Sequence, residues 1–599
     1  MTLPILFALA LAQAPNGQAL FDNNCTSCHN ATPEGRTPSD ASLRQRTPEA
    51  ILEALTTGPM REQGAALRDA ERRAIAEYLA GRPVGAAAAA PTTTTAATGR
   101  CTSAQTFDAS TGPRWTGWSP DLTNKRFQPA ADAGFTAEQA PKLTLKWAFG
   151  FPNAVTARAL PTVAGGRVFV GSQSGTVYAL DAKSGCIIWT FQAKAGVRTG
   201  IVIGPRSGSP GKFNAYFGDG RANAYAIDAA TGEQLWTRNI DEHRSANITG
   251  TPALYQNQLF VPVASSEEAQ GNNPTYECCT FRGSLVALDA NTGSLLWKTY
   301  TITAEAKPIG KNPGGSTRWG PSGGGVWSSP TVDAKRRLVY AATGNMYTEP
   351  QQLTSDAIMA FDLETGGVRW VSQVTPKDIF VICGSAGANC PAAGEVGPDF
   401  DFGNAPILVT RADGKDLIVA GQKSGVGWAF DPDSQGAVLW QYRAGKGSAL
   451  GGLEFGSAAD NEQAYFAVSD TLGSQQPGGL HAVKLTTGER SWFAAPPPPK
   501  CGAARGCNGA ILAAITVIPG VVFTGSNDGG VRGWSTKDGS LLWEYDTNRE
   551  FETVNGVPAK GASISGPGPV VAGGMLYINS GYGALGGRPG NVLLAFGVP

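Results

Sequence analysis

One phrase, Ala-x-Asp-x-x-x-Gly-x-x-x-Trp, recurs along most of this chain and constrains the fold more than any other feature. It occupies residues 179–189, 226–236, 287–297 and 360–370. A copy with one extra residue fills 429–440, and two eroded copies end at Trp492 and Trp543. A return every ~50–70 residues marks a repeat architecture, in which no unit buries its apolar face alone. In each copy an alternating apolar run predicts an inner strand. Asp then bonds its own following backbone, Gly accepts a positive φ, and the chain turns into a strand that carries Trp outward. Further strands lie upstream, for example at 167–172 and 258–264. About four strands per unit make a propeller blade, so seven phrases predict seven blades.

The ends of the repeat region supply an eighth. Residues 575–580 and 591–596 read as strands with no Trp after them. Residues 143–149, which contain Trp147, read as an outer strand with no blade of its own. Ring closure joins them, and closure protects sheet edges that would otherwise pair with other chains. The fold class predicted is therefore mainly β, an eight-bladed propeller, preceded by a small all-α unit. The 599 residues include 78 Gly and only 16% charged residues, as suits a turn-rich β protein. A net charge of zero removes the electrostatic case for nucleic acid. No apolar run reaches the ~18 residues of a membrane-spanning helix.

Residues 3–12 have the apolar core of a secretion signal and 12–14 a small-residue cleavage site. Residues 1–14 are thus expected to be a signal peptide and the mature protein to work in the periplasm. Residues 16–82 form a second unit around Cys25-Thr26-Ser27-Cys28-His29. Cys-x-x-Cys-His is the signature of covalent haem c attachment. Cys25 and Cys28 bond the haem, and His29 supplies one axial ligand to iron. Met60, the only Met of the segment after the signal, is the expected second ligand. A helix is predicted over 70–80. These residues resemble the cytochrome c family. Residues 83–99, rich in Ala, Thr and Pro, cannot bury a core and read as a linker. Residues 100–599 are the propeller, and 101–142 (with Trp115, Trp118, Asn124, Arg126 and Phe127) form a lead-in packed beneath the ring.

Eight cysteines remain. Cys278 and Cys279 are adjacent, Cys383 and Cys390 bracket one loop, and Cys501 and Cys507 another. Cys101 and Cys186 are left to each other, although spacing alone does not fix connectivity. Short bracketed pairs favour an oxidising compartment. Three long insertions, 265–281, 304–325 and 374–402, interrupt the repeat and carry most of the unusual residues, which marks them as functional.

The repeated phrase, the blade count and the segments 276–290, 320–333, 397–408 and 420–433 together resemble the quinoprotein alcohol dehydrogenases. The N-terminal haem unit makes the chain most similar to the quinohaem branch that acts on polyvinyl alcohol. The resemblance implies pyrroloquinoline quinone (PQQ) and Ca²⁺ on the propeller axis. It implies that Cys278 and Cys279 form a ring stacked on the quinone, with Trp327 as the aromatic floor. Lys423 contacts the quinone oxygens, and Arg198 and Thr249 contact its anionic groups. Asn345 and Asp399 are implied calcium ligands, with Glu268 ranked ahead of Glu277 for the remaining carboxylate and Glu267 competing. Asp399 is the implied general base, with Asp401 as the alternative. The implied activity is oxidation of secondary alcohol groups by hydride transfer to PQQ. Electrons then pass through haem c to a soluble cytochrome c or similar acceptor. The alternatives are a dehydrogenase of small primary or secondary alcohols, and a non-enzymatic propeller scaffold.

Overall fold

The computed structural model describes residues 15–26, 29, 43–44, 46–56, 60, 64, 67–84, 99–102, 106–392, 394–504, 506–583 and 586–599. Cys28, the 1–14 segment and most of 83–99 lie outside them. The chain divides into two compact units, Met1–Ala96 and Ala97–Pro599, with the break inside the Ala/Thr/Pro-rich stretch.

The first unit contains helices α1 (Gly17–Asn24), α2 (Pro48–Thr56) and α3 (Asp69–Ala80). The Asn16 side chain caps α1 by accepting from the Ala19 N–H, and Gly81 ends α3 in the left-handed region. The apolar stripes of the three helices converge on Phe21, Ile51, Leu55, Ile75 and Leu79. Gly17 permits the close crossing of α1 and α3, because a Cβ there would lie 2.1 Å from the Ala74 carbonyl oxygen.

The second unit is a ring of eight antiparallel sheets, seven of four strands and one of five. The first blade runs outward through Thr162–Ala164, Arg167–Val170, Thr176–Asp181 and Ile187–Gln192. Six more follow in chain order. The closing blade takes Val570–Ala572, Met575–Ser580 and Val592–Gly597 from the C-terminus and Thr144–Gly150 from the start of the domain, as the ring-closure argument requires.

The phrase works between blades as well as within them. Its Asp accepts the N–H groups two and three residues on, as Asp228 does from Ala230 and Thr231. Its Gly stands at φ 78° in Gly232, and the Trp of the preceding blade lies on it. A Cβ at Gly232 would meet the Trp189 ring at 2.8 Å. The indole N–H of Trp189 donates to the Ala229 carbonyl at 3.2 Å, and that of Trp440 to Leu485 at 2.9 Å. The last Trp, Trp543, closes the circle on the Leu143 carbonyl at 3.1 Å. Trp370 alone of the eight has a buried, unpartnered N–H. The blade after it carries the copy with the extra residue, where Pro432 follows Asp431.

The lead-in is anchored by Arg126, which is fully buried and donates to the carbonyls of Trp118, Ile515, Pro567 and Pro569. Burial pushes its guanidinium down to about 9. The three insertions are knitted together. Asn312 donates to Pro274 O and to Asn389 Oδ1, and Asn389 donates in turn to Asn273 O and Tyr276 O. The middle insertion is more ordered than the loop expected, containing a ribbon of Lys307–Lys311 and Thr317–Gly320.

Candidate functional site

Propeller geometry brings together residues far apart in sequence, because the segment entering each innermost strand ends at the axis. Such segments carry Leu160, Arg198, Thr249, Trp327, Gly403 and Phe455, and all six line one cavity. Arg198, Thr249 and Trp327, each singled out in the sequence, thus meet at one place. Phe455 packs edge-on against Trp327, with centroids 5.9 Å apart, and lies under the Arg198 guanidinium at 5.4 Å. Gly403 lies so close to the indole that a Cβ would sit 2.1 Å from Cη2.

Beside the indole is a cluster of acids around one cation. Lys423 Nζ lies 2.7 Å from Asp399 Oδ1 and 3.3 Å from Asp401 Oδ2. Asp401 Oδ1 accepts the Asn345 N–H at 2.6 Å, so both its oxygens are occupied. Asp399 has its second oxygen outside any hydrogen bond among the described residues, and it sits at φ 61°, a strained setting for a non-glycine residue. Asp378, from the 374–402 insertion, holds this loop by accepting the N–H groups of Asp399 (3.0 Å) and Phe400 (2.6 Å). Burial drives the Asp399 carboxyl well above its usual range. Asp401 and Glu268 add to the effect, and Lys423 opposes it without reversing it. Burial likewise raises Glu268 and Glu454 to about 7 and Asp378 to about 6. The surrounding carboxylates keep Lys423 protonated against its own burial.

Glu267 and Glu268 are consecutive on the short helix Glu267–Gln270, and neighbours on a helix point about 100° apart. The two therefore part company. Glu268 belongs to the cluster around Lys423 and Asp401. Glu267 is fully buried and turns to Tyr276, Thr280 and Phe281. Glu277 is exposed and stands outside the cluster.

Four disulfides are present: Cys101–Cys186, Cys278–Cys279, Cys383–Cys390 and Cys501–Cys507. Cys278 and Cys279 are fully buried among Val263, Tyr276, Phe281 and Tyr347, and do not line the cavity at Trp327. Burial pushes the Tyr347 hydroxyl well above its ordinary range, and the nearby Glu268 charge adds to the effect. In the first unit His29 is buried, and Cys25 and Met60 both pack on the helical core.

Several features suit the groups that the motifs imply. The Arg198 guanidinium makes no hydrogen bond among the described residues and is pushed down to about 10, by burial first and by Arg158 next. An anionic carboxylate is its natural counterpart. The Trp327 N–H and one Glu454 oxygen are buried and unpartnered. The Asn345 amide donates to the carbonyls of Met346 and Phe380, both at 2.8 Å, and its oxygen accepts no hydrogen bond among the described residues. An amide oxygen amid carboxylates is the donor set of a hard cation. Among the described residues no three His, Cys, Asp or Glu side chains stand at metal-binding spacing.

The sequence missed Asp378, Glu454 and Phe455. None belongs to a motif, and each reaches the site only through contacts more than twenty residues away.

Comparison with known proteins agrees across both units. Residues 12–79 match the family model for cytochrome c oxidase, cbb3-type, subunit III. Residues 97–273 match that for the outer membrane protein assembly factor BamB, and 238–382 that for the β-propeller domain of glucose, ethanol and alcohol dehydrogenases. A polyvinylalcohol dehydrogenase of Pseudomonas sp is 44% identical, over 99% of this chain and 96% of its own. Another, from Sphingopyxis sp., is 41% identical, over 97% and 93%. Among solved structures, the quinohemoprotein alcohol dehydrogenase of Comamonas testosteroni superposes with a TM-score of 0.57 at 18% identity, covering 81% of this chain and 80% of that one. That degree of likeness speaks to the fold. The near-full-length identity speaks to more: the chain belongs to the PQQ-dependent quinohaemoprotein alcohol dehydrogenases, in the polyvinyl alcohol dehydrogenase family.

Proposed function

We propose that the chain oxidises secondary hydroxyl groups of polyvinyl alcohol, or of a similar polymer or diol, to ketones in the periplasm. The observation that carries the reading is its 44% and 41% identity to polyvinylalcohol dehydrogenases across haem unit and propeller together. PQQ, when bound, would supply the acceptor for a hydride from the carbinol carbon. The residues of the chain orient it and handle the proton. Trp327 would form the floor of the quinone site and the Cys278–Cys279 loop a wall outside the Trp327 cavity, and Arg198, Thr249 and Lys423 would neutralise the anionic groups and oxygens of the quinone. Asp399 takes the hydroxyl proton on its unengaged oxygen. Burial raises its affinity for protons in the metal-free protein. Lys423 holds its other oxygen and so fixes its direction. Ca²⁺, when bound, would be held by Asn345, Glu268 and Asp399 and would supply Lewis-acid chemistry. His29 and Met60 ligate the haem iron, and Cys25 and Cys28 anchor the porphyrin. Haem c, when bound, would supply the route for electrons to a soluble cytochrome c or similar acceptor. Among the described residues no helix is long and apolar enough to cross a membrane.

Dye-linked turnover with polyvinyl alcohol, secondary diols and ethanol tests the substrate assignment. The expected order of kcat/KM places secondary alcohols and the polymer above ethanol. A preference for ethanol assigns the enzyme to small primary alcohols instead.

A further inference from the structure

Glu267 has no part in the acid cluster, yet it is the most completely engaged carboxylate near the site. Its side chain is fully buried. Oε1 accepts from Tyr276 Oη at 2.8 Å and from the Thr280 N–H at 3.0 Å, and Oε2 accepts from the Phe281 N–H at 2.8 Å and the Thr280 N–H at 3.1 Å. These donors flank Cys278–Cys279 on both sides, Tyr276 two residues before Cys278 and Thr280 and Phe281 directly after Cys279. A fourth partner is His243, whose Nε2 lies 3.4 Å from Oε1. His243 Nδ1 accepts the Ser245 N–H at 3.2 Å, so the ring proton resides on Nε2 and points to Glu267 and Thr280. Burial alone raises a carboxyl, but the bonds from His243, Phe281 and Thr280 outweigh it here and hold Glu267 below its usual range. His243 and Thr280 also line an open pocket with Asp241, Arg282, Lys298 and Tyr300, so the outer end of this arrangement faces solvent.

We propose that Glu267 is a positioning residue for the quinone site, a buried clamp that fixes the adjacent-cysteine loop through Tyr276, Thr280 and Phe281, with His243 as its outer brace. The proposal rests on the reading that this loop flanks the quinone. Glu267 touches neither quinone nor substrate, and it acts through the loop. Removing the carboxylate leaves two backbone N–H groups and a phenol buried without an acceptor, which frees the loop to open.

The test uses the quinone-loaded, full-length enzyme. The first readout is the rate at which dithiothreitol reduces Cys278–Cys279, followed by alkylation and mass spectrometry of the peptide. The second is the half-time of quinone loss on dialysis. Glu267→Ala is expected to accelerate both roughly tenfold or more, with Glu267→Gln intermediate because it keeps one acceptor oxygen. Tyr276→Phe and His243→Ala each remove a single partner and shift both readouts the same way by less. Glu242→Gln, a pocket carboxylate with no bond to the loop, leaves both unchanged. If Glu267→Ala does not fold, Glu267→Gln and Tyr276→Phe decide the question. Parental reduction rates in these variants overturn the clamp. Faster reduction with unaltered quinone retention upholds the clamp and overturns the placement of the loop against the quinone.

Discussion

Replacing Asp399 and Asp401 separately by Asn distinguishes two carboxylates that are two residues apart and share one lysine. Asp401 spends both oxygens on the protein, one on the Asn345 N–H at 2.6 Å and the other on Lys423 at 3.3 Å. In Asp401→Asn the amide oxygen still serves Asn345, while the contact to Lys423 is lost. The cost falls on local stability, about 1–3 kcal/mol, and kcat changes by less than about tenfold. Asp399 spends only one oxygen, on Lys423 at 2.7 Å, and presents the other. Asp399→Asn keeps the shape and an acceptor for Lys423 but removes the base. A positioned general base contributes about 10²–10⁴-fold, or roughly 3–5 kcal/mol of barrier. Steady-state dye reduction at saturating alcohol reads the effect, normalised to the quinone released from denatured samples. Retention of kcat within about tenfold by Asp399→Asn at full quinone content refutes the assignment, as does loss of more than about a thousandfold by Asp401→Asn.

Three further outcomes follow from the same geometry. Trp189→Phe removes one of the two donors to the Ala229 carbonyl, leaving Arg167 Nη1 at 3.3 Å, whereas Trp370→Phe removes an N–H that has no acceptor, so denaturant titration is expected to find the first variant less stable by about 0.5–1.5 kcal/mol. Glu454 is buried and raised from 4.5 to about 7, so its contribution to the stability of quinone-free, metal-free protein is full below about pH 4.5 and lost as pH rises through about 7. Glu454→Gln flattens that decline by up to roughly 3 kcal/mol, measured by denaturant titration between those pH values. Met60→His exchanges a soft sulfur for imidazole and is expected to lower the haem reduction potential in a spectroelectrochemical titration; an unchanged potential removes Met60 from the iron.

How much of this could be read from the sequence depended on how local the cause was. The blade count was legible because Asp, Gly and Trp act within eleven residues, and the closing strand was legible because Trp147 had no blade of its own. The structure added that each Gly also carries the Trp of the preceding blade, a contact between repeats that no single copy reveals. Cys25-x-x-Cys28-His29 was legible for the same local reason. Around the axis, local patterns fail. Asp378 fixes the Asp399 loop from twenty-one residues away, and Glu454 lies among acids drawn from other blades. The neighbours Glu267 and Glu268 look alike in sequence, and only the turn of a four-residue helix sends one to the disulfide loop and the other to Lys423. Cys278 and Cys279 were legible as a bonded pair, but their burial away from the Trp327 cavity was not.

The most direct test of the account is to strip the purified enzyme of its small molecules and rebuild it. Denatured holoenzyme should release PQQ in near one-to-one proportion to haem c. Depleted protein should recover oxidation of secondary alcohols only when PQQ and Ca²⁺ are supplied together. Absence of released quinone, combined with no recovery of alcohol oxidation on adding both, contradicts it.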